Sequence, residues 1–222
     1  MKWVYILVIS FILTNCATNK FLFSSTPAKE IKDVDYFEPF AYIHLIETGN
    51  NSQFSDSLSL ITKINLDTIL ATKKSKLRLS EKIVIKNDTL RTRIENELGY
   101  LSRLILSQQT IQGIKLTPAI DSILESRNQR FAMATIATGF GRAKGNFAGQ
   151  IAKGVAVGIL TLGMAVPTPV KSDLTMYTFL FDSKKKEIAF FRKLFADRQR
   201  EPTDPEFIER QLIETLKGYY FQ

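Results

Sequence analysis

The sequence predicts an α/β fold in which helices cover a mixed sheet, with α+β as the alternative. Three observations predict it. Runs with the alternating, branched and aromatic character of strands recur at residues 41–46, 131–136, 174–181 and 188–191. Between the first two, Leu90, Ile94, Leu98, Leu101 and Ile105 recur at spacings that place them on one helical stripe. Helix-like and strand-like runs alternate along the chain in the order β-α-β-α-α-β, insertion, β-β-α, which is the pattern of a layered domain.

Each element has its own signal. Residues 41–46 alternate as a strand does and stop at the turn cluster Gly49, Asn50 and Asn51. His44, the only histidine, lies on that strand with no second histidine to share a metal, and reads as structural. Residues 55–72 fit two patterns. Leu58, Leu60, Ile64 and Leu66 alternate, whereas Leu58, Ile61, Ile64 and Ile69 share a helical face. The length of the run, the Ser/Asp cluster ahead of it and the lysines behind it favour the helix. Leu77, Leu79 and residues 83–85 read as one or two short strands. Residues 88–106 carry the apolar stripe, and burying it contributes about 1.5–3 kcal/mol per large side chain. Asp88 is its expected N-cap, its carboxylate accepting from first-turn amides.

After a break at Gly113, Thr117 and Pro118 open a shorter helix, a capping hydroxyl followed by the residue suited to the first turn. Ile120, Ile123 and Leu124 lie on one side of it. Residues 131–136 return to a strand, and residues 171–182 and 187–193 read as a hairpin around the polar turn 182–186. Asp204 and Pro205 open the last helix, in which Ile208, Leu212 and Leu216 repeat every four residues before Gly218. Residues 36–222 are thus expected to form a single domain with a Gly-rich insertion at 139–169.

Seven of the eleven glycines fall between Gly139 and Gly163, and three readings compete for them. One is a phosphate cradle of backbone amides ahead of a helix. Neither the dinucleotide fingerprint nor a Gly-Lys-Ser/Thr sequence is present to support it. A second is a membrane element, since Gly145 and Gly149, then Gly154 and Gly158, stand four apart and permit close helix approach in lipid. The uncharged run 154–166 is thirteen residues, below spanning length, and Lys153 interrupts it upstream. A re-entrant or interfacial helix is the form this reading takes. The third, favoured, is a small-residue hairpin or helix packed across the sheet, with Pro167 and Pro169 turning the chain into the next strand. Candidate contacts to membrane or partner are Gly145, Gly149, Lys153, Gly154, Gly158 and Gly163.

The amino terminus reads as an address. Lys2 supplies a positive start and residues 4–13 a short apolar run, too short to span a bilayer at about 20 residues and fitted to a signal-peptide core. The run ends at Leu13, Thr14, Asn15 and Cys16, the only cysteine. This stretch resembles a bacterial lipoprotein signal peptide, in which the cysteine is acylated and becomes the first residue. Leu13 matches the apolar position of the lipobox, while Asn15 departs from the small residue usual before the cysteine. Acyl chains at Cys16 imply stable membrane attachment, each buried methylene contributing about 0.8 kcal/mol. There is no aspartate after Cys16 and no acidic export run, so the expected place is the periplasmic face of the outer membrane. Residues 16–35 are expected to be a lipid-anchored tether, the stretch 20–32 with Ser24, Ser25 and Pro27 giving it its character.

Composition narrows the function classes. Hydrophobic content is 45% and charged content 23%, which argues against wholesale disorder. The formal charge of +8 falls to +7 once Lys2 leaves with residues 1–15. Its lysines are scattered and read as solvated faces, with no aromatic-plus-basic motif for nucleic acid. A single histidine and a lipid-bound cysteine leave no metal set, and no cofactor motif is present. No Gly-x-Ser-x-Gly elbow accompanies His44. The acids Asp88, Glu95, Glu97, Asp204 and Glu209 sit at caps and on helix faces, where helix electrostatics accounts for them. The reading is therefore not an enzyme.

Residues 130–142, 149–154, 161–163, 167–169 and the hairpin 177–191 resemble a set of uncharacterised Bacteroidota lipoproteins, the run 149–171 being the most specific part. To that set no activity is attached. In architecture alone the chain is similar to periplasmic lipoproteins of the curli-secretion and cell-wall-synthase-activator type, α/β scaffolds that act through protein contacts; architecture does not fix function. The expectation is a lipid-anchored interaction or assembly module of the cell envelope, bound to the membrane through Cys16, with an envelope protein or a second copy as partner. The alternative is a membrane-active protein that inserts residues 145–166 into the outer membrane.

Overall fold

A computed structural model describes residues 21–149, 151–152, 170–197 and 199–221. Its centre is β6 (Phe131–Arg142), the longest strand of one mixed sheet that contains eight strands among the described residues. Parallel to β6 and on one side of it lie β2 (Val34–Phe37) and then β3 (Phe40–Ile46). The two behave as one line of chain interrupted at Glu38 and Pro39, where proline offers no amide to the ladder. Beyond β2 the parallel strand β5 (Leu79–Ile83) forms the edge, and beyond β3 the short antiparallel β4 (Ser52–Phe54) does so. On the other side of β6, β7 (Asp173–Asp182) and β8 (Glu187–Leu194) form the expected hairpin, paired antiparallel from Met176 opposite Leu194 to Asp182 opposite Glu187. The final strand, β1 (Leu22–Phe23), pairs antiparallel with β8.

Helices cover both faces. Against one lie α1 (Asp56–Thr72), the short α2 (Lys74–Leu77) and α5 (Pro205–Leu216), whose Leu66, Leu70, Ile208, Leu212 and Leu216 are fully buried with Ile43, Leu174 and Phe190 of the sheet. Against the other lie α3 (Asp88–Gln108) and α4 (Pro118–Ser126), which bury Ile94, Leu98, Leu101, Ile105, Ile120 and Leu124 on Phe179, Phe181 and Phe191. The α3 stripe is the one the sequence periodicity predicts, with Leu90 at its partly buried start. This helix crosses the strands rather than following them. Arg91 in its first turns reaches Glu38 beyond β2 at 3.2 Å, and Ile111 just past its end lies beside Leu22 in β1.

Several expectations are corrected. Residues 21–35 are not a tether. β1 pairs with β8, Ser24 N–H donates to Ala189 O at 2.9 Å, and Thr26, Ile31 and all of β2 are buried. The buried residues of α1 are Ser59, Thr62, Leu66, Ile69 and Leu70, so Ile61 and Ile64 of the expected stripe face solvent. The reason is a backbone debt on β3. With β4 ending opposite His44, the N–H and C=O of Ile43 have no partner in β4. Ser59 Oγ accepts from the former at 2.9 Å and Ser55 N–H donates to the latter at 2.9 Å. Leu77 belongs to α2, closed by Arg78 with φ 53°, and not to a strand. The cap of α3 is Asn87, whose Oδ1 accepts from Leu90 N–H at 2.9 Å, leaving Asp88 in the first turn.

The insertion also begins later than Gly139. Residues 139–142 continue β6, paired with β3 on one side and, as far as Phe140, with β7 on the other. At Gly139 a Cβ would stand 2.1 Å from Asp173 O, so glycine is what lets β7 close against β6 here. Residues 150 and 153–169, like residues 1–20 with Cys16, lie outside the described residues.

Strand direction defines two ends of the sheet. The Asp182 end carries the β7–β8 turn, the chain ahead of β2 and the chain ahead of β6. The Arg142 end carries the β3–β4 turn, the exit of β6, the entry of β7 and the exit of β8. It is tied together by side chains: Arg142 Nη1 meets Asn50 Oδ1 at 3.0 Å and its Nε donates to Val170 O at 2.7 Å. Asn146 Nδ2 donates to Ile46 O and Glu47 O at 3.0 and 2.9 Å, and Ser172 Oγ donates to Arg200 O at 2.7 Å.

Candidate functional site

Because α3 crosses the strands, it covers the sheet only in part on its side. Alternation along β3, β6 and β7 puts Phe40 and Tyr42, Ile136 and Thr138, and Tyr177 on this face. Register sets Tyr42 beside Thr138 and Ile136 beside Tyr177. A groove of about 460 Å³ runs between these strands and the flank of α3, which contributes Glu95, Gly99 and Arg103. Farther toward the Arg142 end, His44 and Phe140 lie opposite each other on the same face. His44 is exposed and Thr138 and Phe140 are only partly buried, so the helices do not close over them.

The rings here are paired with cations. Lys193 of β8, opposite Tyr177 in the ladder, holds its Nζ 5.4 Å from the Tyr177 ring centre and 4.4 Å from that of Phe195. The Arg142 guanidinium lies 5.7 Å from the Phe140 ring centre. His44 meets Phe54 edge to face at 6.0 Å, and its Nδ1 lies 3.3 Å from Ser52 Oγ. It is exposed and belongs to this face, not to a core.

Inside the groove, burial raises the Tyr42 phenol well above its ordinary range, and the charge and hydrogen bond of Glu95 act in the same direction. At neutral pH Tyr42 is therefore a neutral hydroxyl donating to a carboxylate, fixed in place and not poised as a base. Arg103 and Glu95 give the rim one charge of each sign. The arrangement offers ring faces for stacking and cations held over rings. Among the described residues, no group of three His, Cys, Asp or Glu side chains stands where it could hold a metal ion.

The acids singled out from sequence have separate tasks. Glu97 of α3 accepts from Ala119 N–H at 3.1 Å and Ile120 N–H at 3.3 Å, capping α4 from outside. That capping role was expected of Thr117, whose hydroxyl makes no such bond. Asp204 caps α5 by accepting from Phe207 N–H at 3.2 Å, and Glu209 pairs with Lys73 at 2.8 Å. Glu95 is the one acid that lines the groove.

Of the six candidate contact residues, Gly145 and Gly149 are described, and Lys153, Gly154, Gly158 and Gly163 are not. Among the described residues, a Cβ on either of the first two glycines would meet no atom within 4 Å. Gly145 takes φ +82° in the turn after β6, leading into helical residues 146–149. The groove residues Tyr42, Thr138 and Tyr177 carry no motif. Their one sequence signal is an aromatic residue at matching phase on two strands, and it gains meaning only when β6 joins the strands. Compared with known proteins, the chain matches no family model and no curated protein.

Proposed function

We propose that this protein is a lipid-anchored module of the periplasmic side of the outer membrane, without a catalytic role, that holds an envelope partner on the part of the sheet α3 leaves open. One observation carries the reading: Tyr42, Tyr177, Phe140, Arg142 and Lys193 gather aromatic faces and cations on one partly exposed sheet surface. Cations over rings and half-buried tyrosines are the side chains that anchor protein contacts. The Cys16 anchor rests on the order of charge, apolar run and cysteine at the amino terminus.

The test is photocrosslinking in cells from benzoylphenylalanine placed at Tyr177, with placement at exposed Tyr100 on α3 as the control. The reading requires a discrete adduct from position 177 alone that is lost when Lys193→Glu is added without a change in thermal stability. Equal adducts from both positions, or an adduct indifferent to Lys193, count against it.

A membrane-active role is the second reading, and strand polarity favours it. The described ends of the insertion, at Ala152 and Val170, belong to the Arg142 end. β1 also enters the sheet from that direction, being antiparallel to β8. Among the described residues no helix is long and apolar enough to cross a membrane. A chain beginning at Ala17, and so without Cys16, with and without residues 145–166, separates the readings. Binding of the longer chain alone to liposomes favours insertion, and neither chain binding favours the protein-contact module.

A further inference from the structure

We infer that the Arg142 end of the sheet rests on the membrane surface, so that the anchor and the folded domain meet the lipid together; this rests on acylation of Cys16. The first support is chain length. β1 begins at Leu22 and pairs Leu22 with Phe191, so the chain is part of the sheet six residues after Cys16. Six residues span at most about 20 Å even when fully extended. The domain is therefore held close to the bilayer and is not suspended on a long tether.

Direction is the second support. β1 runs opposite to β8, and β8 runs from Glu187 at the Asp182 end to Leu194 at the Arg142 end. Followed back from Leu22, the line of β1 points to the Arg142 end, past Arg192 and Lys193.

The third is what the two ends present. At the Arg142 end, Ile151, Val170 and Phe195 are 45%, 43% and 48% exposed. Lys144 and Lys171 stand among them, with Glu47, Asp173, Asp197 and Glu201 as the acids of the same end. Apolar rings and aliphatic chains with lysines that extend past them are the groups that settle at a headgroup boundary. Among the described residues, the exposed large apolar side chain nearest the Asp182 end is Phe23 of the edge strand β1. The Asp182 end itself carries ion pairs: Arg127 with Asp35 and Glu81, Arg130 with Glu30 and Asp182, and Lys186 with Asp121 and Glu125. Burying that end on lipid would strip charge of water for little apolar gain.

The processed chain makes the test direct, because its only tryptophan, Trp3, is ahead of Cys16. The full-length protein, matured in cells and reconstituted into phosphatidylethanolamine–phosphatidylglycerol vesicles containing a dibrominated phospholipid, is prepared as Val170→Trp, Phe195→Trp and, at the opposite end, Lys184→Trp. The brominated lipid is expected to quench the first two about twofold, the effect of a ring within roughly 5–10 Å of the headgroup boundary, and to leave Lys184→Trp unchanged. Equal quenching at all three positions, or quenching at position 184 alone, overturns the orientation. Mass spectrometry of Cys16 in the same sample separates the two levels. Acylated protein unquenched at 170 and 195 overturns the orientation alone, and unacylated Cys16 overturns the anchor and the orientation with it.

Discussion

Arg130, the residue just ahead of β6, reaches Asp182 at the first rung of β6 and β7, with Arg130 Nε and Nη2 donating to Asp182 Oδ1 and Oδ2 at 3.2 and 2.9 Å. The Asp182 side chain has no solvent exposure, and the guanidinium is one-third exposed. The carboxylate also accepts from Thr26 Oγ1 and from the N–H groups of Lys184 and Lys185. One buried charge thus fixes the hairpin turn, the start of β6 and the segment ahead of β2.

This asymmetry sets the expected cost of breaking the pair. Arg130→Met leaves a buried carboxylate with only neutral donors and is expected to destabilise by about 3 kcal/mol. Asp182→Asn keeps one acceptor oxygen for the turn amides, places an amide N–H donor that the Thr26 hydroxyl can accept, and lets Arg130 return to water, so about 1–2 kcal/mol is expected. Urea denaturation of both variants checks the order. A larger loss for Asp182→Asn would place the stabilisation in the turn and not in the pair.

Glu97 offers a second long-range test. Its carboxylate, largely buried, accepts from the Ala119 and Ile120 amides in the first turn of α4, which opens at Pro118 without a side-chain cap of its own. Glu97→Ala is expected to lower stability by about 1–2 kcal/mol, the range for a lost N-cap, and to speed amide exchange at Ala119 and Ile120. Glu97→Gln, which keeps an acceptor and loses the charge, should recover at least half of that loss. Exchange unchanged at those two amides would show that the cap does not hold the helix end.

Much of the fold is legible in the sequence where local pattern and burial agree. The stripe of α3, the β7–β8 hairpin and the cap and stripe of α5 are of this kind. It becomes illegible where a polar residue is buried for a non-local reason. Asp35 is almost fully buried within β2 because Arg127 Nε meets it at 2.8 Å and Glu81 N–H at 3.1 Å. Read alone, that acid breaks the strand pattern. Ser59 and Thr62 likewise hide the true face of α1, since one serves Ile43 and the other donates to Pro202 O at 3.1 Å. The candidate site is less legible still. Tyr42, Glu95, Thr138 and Tyr177 come from β3, α3, β6 and β7, and nothing local links them.

Gly139 separates steric need from conformational need. Its missing Cβ would sit 2.1 Å from backbone Asp173 O, a partner that cannot rotate away. Gly139→Ala should therefore push β7 from β6 at the Arg142 end and destabilise by about 2–3 kcal/mol, as overpacking does. Among the described residues Gly145→Ala meets no neighbour, and the strain of φ +82° is worth about 1 kcal/mol. Thermal unfolding of the two variants ranks them, and the reverse order would mean that β7 accommodates the methyl group.

Tyr219 gives the protein an alkaline limit. Its ring stacks on Phe190 at 4.9 Å and Phe23 at 5.6 Å, and its hydroxyl donates to Thr26 O at 2.6 Å. Burial pushes the phenol up from 10.0 to about 12, and the charges of Glu187, Asp182 and Glu30 add to the rise. The unfolded chain loses this proton near 10 while the folded chain keeps it. The stabilisation is thus complete below pH 10 and disappears as pH climbs toward 12, with stability falling through that window. Burial also raises Tyr220 and Tyr42, so the contribution of Tyr219 is read by difference. Tyr219→Phe should lower stability at neutral pH through loss of the bond to Thr26, and should flatten the decline between pH 10 and 12. Chemical denaturation across that range, with tyrosinate absorbance followed in parallel, measures both. Parallel stability curves for the two proteins would mean that Tyr219 ionises as readily in the folded chain as in the unfolded one.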